Sequence, residues 1–211
     1  MSAASDRARH AWPLRDQVTL GERLVAAYEQ PWRHYHDVQH LAEVLDRIDE
    51  ICTASPDLRI DRPAIVLAAY FHDVVYDVAV PWTARASNEE LSAQRAEVWL
   101  TSAGVAWSVV AEVARLVRGT ATHASTAGDV NAAVLFDADL AILASGLERY
   151  DAYVQDVRAE YAAVPDDAFA TGRAAVLQAL LDQPSLFTTA YAQEHWEAEA
   201  RANVTRELSD A

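Results

Sequence analysis

The chain has 211 residues, with 17 Lys and Arg against 32 Asp and Glu and a formal net charge of −15, so a nucleic-acid duplex, which is held by a basic face, is not an expected partner. All 17 basic residues are Arg; the absence of Lys excludes a Schiff-base lysine, a pyridoxal enzyme and a P-loop, and leaves arginine to hold any phosphate. Cys52 is the only cysteine, no apolar run reaches the roughly 18–20 residues that span a bilayer, and the polar stretch Met1 to Pro13 lacks the apolar centre of a signal peptide, so a cytoplasmic protein without a disulfide or a membrane partner is expected.

Hydrophobic residues make up 52% and only 6 Gly and 7 Pro interrupt the chain. Apolar positions recur at helical spacing and no strand pair carries hairpin chemistry, which predicts an all-α fold in a single domain. In chain order, helices are predicted at about 14–30, 34–53, 63–75, 84–103, 106–119, 129–144, 146–163, 167–182 and 193–209. Pro31 stops the first, and Pro63 suits the start of the third. Asp129, Pro165-Asp166 and Thr189 are helix-start residues.

Three short motifs stand out against this background. His36 and His40 are four apart in Tyr35-His36-Asp37-Val38-Gln39-His40, which on one helix places both on the same face. His72-Asp73 closes the apolar run Ala64 to Phe71, and Asp137 and Asp139 sit among Val134, Leu135, Phe136, Leu140 and Ile142. A buried carboxylate or imidazole is costly without a partner. A divalent cation shared by these nitrogen and oxygen donors is the economical answer. Taken singly, each motif also fits an ordinary surface pair or a helix cap.

These residues resemble the HD superfamily of metal-dependent phosphohydrolases. Phe71-His72-Asp73-Val74-Val75-Tyr76-Asp77, Asn88-Glu89-Glu90-x-Ser92 and Arg158-x-Glu160-Tyr161 are similar to segments of an uncharacterised bacterial group of predicted HD phosphohydrolases. The resemblance implies an HD-domain-like helical bundle, with its motif core over about 33–145 and additional C-terminal helices over about 146–211. It implies His40, His72, Asp73 and Asp139 as metal ligands, with Asp137 as the alternative to Asp139. Asp73 and Asp139 would supply the charge that fixes the ion, and His36 would be the acid that protonates the leaving oxygen.

The cyclic-nucleotide phosphodiesterases, which share that architecture, have a second His after the doublet; here Val74-Val75-Tyr76-Asp77 follows instead. A two-metal site would then draw on His123. Glu89 and Glu90 are candidates for orienting the attacking water. Arg33, His34, Arg85 and Arg158 are candidates for substrate binding, with Arg118 and Arg173 as further arginines.

The expected activity is hydrolysis of a phosphate ester or anhydride of a nucleotide-like small molecule. The expected cofactor is a divalent cation (Mn, Mg, Fe, Co, Ni or Zn), with one or two ions bound. The alternative is a non-catalytic metal- or nucleotide-binding HD module that acts as a sensor or scaffold. A metal-dependent oxygenase is disfavoured, because His123 alone lies between the doublet and the last Asp. A homo-oligomer is left open.

Overall fold

A computed structural model of the chain describes residues 2–78 and 86–210. It is an all-α helical bundle, and the described residues contain no strand. The α-helices are α1 (Ala3–Ala11), α2 (Val18–Tyr28), α3 (Val38–Ala54), α4 (Arg62–Phe71), α5 (Asn88–Ser102), α6 (Trp107–Gly119), α7 (Val130–Leu140), α8 (Leu147–Glu160), α9 (Asp166–Leu181), α10 (Ala190–His195) and α11 (Glu197–Asp210). Short 3-10 turns occupy Arg15–Gln17 and Ala141–Ala144. No single helix among the described residues is long and apolar enough to cross a membrane.

The centre of the bundle is α4. Each residue from Ala64 to Phe71 is buried, so the helix is wrapped on all sides, as its uninterrupted apolar sequence requires. Side chains such as Ile65, Leu67 and Phe71 each contribute about 1.5–3 kcal/mol by leaving water. Around α4 pack α3, α6 and α7, while α1 lies on α3 and α5 lies on α6. The chain end, α11, packs on α9 and on the Ala141–Ala144 turn.

Helices α4 and α7 start together. Asp61 caps α4 by accepting from the Ala64 N–H, and Asp129 caps α7 by accepting from the Ala132 N–H. Asn131 joins the two ends: its side-chain oxygen accepts from the Asp61 N–H at 2.9 Å, and its amide donates to Glu112 at 2.8 Å. The opposite ends of both helices carry the polar residues singled out above, so this shared start fixes where those residues arrive.

Several boundaries depart from the sequence expectation. The segment expected to be only polar and charged forms α1, capped by Ser2, with Ala4, Ser5 and Ala8 buried. A face of such small residues carries little apolar periodicity. The helix expected at 34–53 starts at Val38, because the Asp37 carboxylate accepts from the Gln39 and His40 N–H groups. His36 therefore precedes the helix and does not share a face with His40. The helix expected at 63–75 ends at Phe71, with His72 as its cap. Trp196 divides the last expected helix into α10 and α11, and the Thr189 cap starts it earlier than 193.

Candidate metal centre

His72 closes α4, its N–H donating to Ala68 O at 2.9 Å. Its ring Nδ1 lies 2.7 Å from Ala69 O. A carbonyl only accepts, so Nδ1 carries a proton and Nε2 points onward with its lone pair when the ring is neutral. Tyr28 supports this turn from below: its hydroxyl donates to Ala69 O at 3.3 Å and accepts the Asp73 N–H at 3.2 Å. Burial holds the Tyr28 phenol well above its ordinary value, so it stays a neutral donor.

Opposite, His40 occupies the first turn of α3, fixed by the Asp37 cap. Its Nε2 lies 3.1 Å from His72 Nε2, 3.1 Å from Asp139 Oδ1 and 3.7 Å from Asp73 Oδ2. His72 Nε2 lies 3.1 Å from Asp73 Oδ2 and 3.5 Å from Asp139 Oδ1. His40, His72 and Asp139 form a cluster whose donor atoms all fall within 4.8 Å of one another. Asp73 joins it through its contact with His72.

His40, His72 and Asp139 fit a small divalent cation, with Asp73 beside the two histidines. Donors about 2.1 Å from a common ion are separated by about 3.0 Å at octahedral angles and about 3.4 Å at tetrahedral ones. The five separations above run from 3.1 to 3.7 Å. Two imidazole lone pairs and two carboxylates this close repel one another unless a cation or protons lie between them. The titration behaviour reflects that conflict. Burial disfavours charge on His72, but Asp73 and Asp139 outweigh it and raise the ring to about 9. Burial likewise opposes ionisation of Asp73 and Asp139, yet the His72 ring beside them holds both carboxyls well below the usual range.

His123 sits just outside this group. Its backbone is left-handed, with φ 51°, a conformation uncommon for a residue with a side chain. Its Nε2 reaches Asp139 Oδ2 at 2.9 Å, and its ring packs edge-on against Phe136. Asp139 thus turns one oxygen to His40 and His72 and the other to His123. Asp137 faces away: it is buried and accepts the Thr188 and Thr189 N–H groups at 2.8 and 2.7 Å, closing the start of α10.

His36 stands at the edge of the cluster. Its ring centroid is 5.7 Å from that of His40, and the ring stacks on Tyr76 at 3.9 Å. Its Nδ1 lies 2.7 Å from Glu160 Oε2. The other oxygen of Glu160 accepts three consecutive backbone N–H groups, from His34 at 2.9 Å, Tyr35 at 3.0 Å and His36 at 2.9 Å. Burial opposes charge on Glu160, but its bond to His36 outweighs that and lowers the carboxyl. An ionised Glu160 only accepts, so the proton on Nδ1 is committed to it and Nε2 is the free nitrogen. Glu160 is a site residue that sequence reasoning missed as one, although it lies within the quoted Arg158-x-Glu160-Tyr161 segment.

Other expected site residues are placed differently. Arg33 is buried, and donates to Gln30 Oε1, His36 O, Asp73 O and Val74 O at 2.8–3.3 Å. It ties the two His motifs together through these bonds. Arg158 binds Tyr161 O, Val164 O and the Asp166 carboxylate, holding the turn between α8 and α9. Glu90 is engaged by Arg118, which also binds Glu97; that guanidinium holds the Glu90 carboxyl well below its ordinary value. Glu89 lies in the first turn of α5, outside the donor cluster. Arg173 binds Glu207. The His34 ring is exposed, and its backbone N–H serves Glu160. Arg85 lies outside the described residues.

No family model, curated protein or solved structure matches the chain. The class defined by fold and site is therefore an all-α helical bundle with a candidate centre for a divalent cation.

Proposed function

We propose that this chain is a metal-dependent phosphohydrolase of the HD type, acting on a phosphate ester or anhydride of a nucleotide-like small molecule. The observation that carries this reading is the convergence of His40 from α3, Asp139 from α7 and His72 from the end of α4, with Asp73 against the two histidines, beside a histidine that is not one of the donors. His40, His72, Asp73 and Asp139 would hold the ion, and His123 would orient the outer oxygen of Asp139. A bound divalent cation supplies Lewis acidity and brings the pKa of water toward neutrality. His36 carries the proton for the leaving oxygen on Nε2, and Glu160 fixes the ring through Nδ1. Tyr76 covers one face of the ring and limits its rotation.

The bond between buried Glu160 and the partly exposed His36 ring favours turnover over a module that only holds a metal. A ring nitrogen outside the donor set gains nothing for metal affinity from such precise placement, whereas general-acid chemistry depends on it. Elemental analysis of purified protein, followed by phosphate release from nucleotides, dinucleotides and sugar phosphates, tests the proposal. Absence of a stoichiometric divalent metal, or of phosphate release with every added metal, overturns it.

A further inference from the structure

A second feature adjoins His36 through Tyr76 and Glu160. A cavity of about 430 Å³ is lined by Gln30, Trp32, Arg33, Tyr76, Arg95 and Glu160, among others. That volume lies in the range of small-molecule sites, about 300–1,000 Å³. Two of its walls touch the proposed acid directly: Tyr76 stacks on the His36 ring, and Glu160 bonds to His36 Nδ1. Arg33 links it to the donor cluster through its bonds to His36 O and Asp73 O.

Three properties of the lining point to one kind of occupant. Trp32 is 60% exposed at the cavity, a flat indole free to stack. Arg95 rests over Trp99 at 5.3 Å and makes no ion pair with any described carboxylate, whereas Arg118, Arg149, Arg158 and Arg173 each do. The Arg95 guanidinium keeps its N–H donors for the cavity that it lines. Gln30 Oε1 is already engaged by Arg33 Nε, so the Gln30 amide offers its N–H donors. An aromatic plate beside such donors matches a flat heteroaromatic ring with acceptors along one edge. Guanidinium groups take the O6 and N7 atoms of a purine in this way.

We infer that this cavity is the subsite for the base of a nucleotide, with the ring stacked on Trp32 and its oxo edge turned to Arg95, while the phosphate lies at the donor cluster. The inference rests on the phosphohydrolase reading for its substrate but not for its binding. Hydrolysis of inosine 5′-monophosphate is compared with that of ribose 5-phosphate, which lacks the base, in the metal-loaded protein. Binding of inosine, which has no phosphate to release, is followed by calorimetry. The kcat/KM ratio of the two phosphates should favour the nucleotide at least about tenfold. Trp32→Ala and Arg95→Ala should each reduce that ratio by about tenfold through KM, since stacking and bidentate contacts are of that order. Both variants should also weaken inosine binding. Trp107→Ala, which removes a comparably exposed indole (68%) at the start of α6, should leave the ratio unchanged.

Hydrolysis of both phosphates with equal kcat/KM, or ratios unaltered in both cavity variants, overturns the subsite and leaves the phosphohydrolase reading standing. Inosine binding that weakens in both variants, with no phosphate released from any nucleotide, dinucleotide or sugar phosphate, supports the subsite and overturns the phosphohydrolase reading. Absence of inosine binding overturns the subsite, and absence of phosphate release from all of those substrates overturns the phosphohydrolase reading as well.

Discussion

Asp137 and Asp139 are two residues apart on α7 and send their carboxylates to opposite sides of the helix. Asp139 faces His40, His72 and His123, while Asp137 closes the start of α10. About 200° of helical rotation separates positions two apart, so neither can substitute for the other. Asp139→Asn should abolish stoichiometric metal binding. Asp137→Asn should keep the metal but lose about 1–3 kcal/mol of stability, because the amide can accept only one of the two N–H groups well. Metal content and denaturant unfolding of both variants check this, and the reverse pattern would exchange their roles.

His36 and Glu160 test whether chemistry and metal holding are separate in the proposed site. His36→Ala should retain the metal and lose turnover by about 10²–10⁴-fold, the usual contribution of a general acid. The loss should shrink for p-nitrophenyl phosphate, whose leaving group needs little protonation. Glu160→Gln should lower kcat in the same substrate-dependent way, because it alters the partner of Nδ1. Equal loss on good and poor leaving groups would remove the acid role from His36.

Metal and protons should compete for His72. Its ring is raised to about 9 by Asp73 and Asp139 against the opposing effect of burial, so near neutral pH the ion must displace a proton. Affinity should rise from pH 6 toward 9, and calorimetry in buffers of different ionisation enthalpy should show proton release. In metal-stripped protein the raised ring contributes stability that is complete below its unfolded value of about 6.5 and is lost as pH rises through 9. The depressed Asp73 and Asp139 carboxyls contribute stability present above about 4, which is lost as acid protonates them. Thermal melting against pH, with and without metal, measures both limbs. A flat alkaline limb in the stripped protein would contradict the His72 assignment.

Gly119 ends α6 where a Cβ would overlap the Phe136 ring, which in turn packs on His123. Gly119→Ala should cost about 1–3 kcal/mol by overpacking. It should also disturb the His123–Asp139 bond, seen as weaker metal binding. Unchanged stability together with unchanged metal affinity would show that Phe136 relaxes freely.

The helical class and the motifs that supply the candidate metal cluster were legible because they rest on patterns with a physical cost. His72, Asp137 and Asp139 interrupt apolar runs, and a polar group in such a run requires a partner. The division of labour between the two aspartates follows instead from which side of α7 meets α10, and that contact is tertiary. Glu160 was hidden because α8 is rich in charged residues, where one more glutamate reads as solvated surface. Glu90 and Arg33 show the converse: an acid at a helix start and an arginine beside a His motif have the same sequence pattern whether they face a substrate or each serve the framework. The placement of His36 before α3 turned on Asp37, which has the composition of an N-cap but stood inside an otherwise helical stretch.

The bond between the His34 N–H and Glu160 joins positions 126 residues apart. Contacts of such long range close late in folding, since a large loop must be brought together first. At about 5–20 residues per second of synthesis, Glu160 is added roughly 6–25 s after His34. Throughout that interval the backbone of residues 34–36 has no carboxylate to gather it. A nascent chain that already displays His40 and His72 still has neither Asp139, the third member of the candidate cluster, nor Glu160. The order of translation thus withholds both the complete donor cluster and the carboxylate partner of His36 until most of the chain has been made.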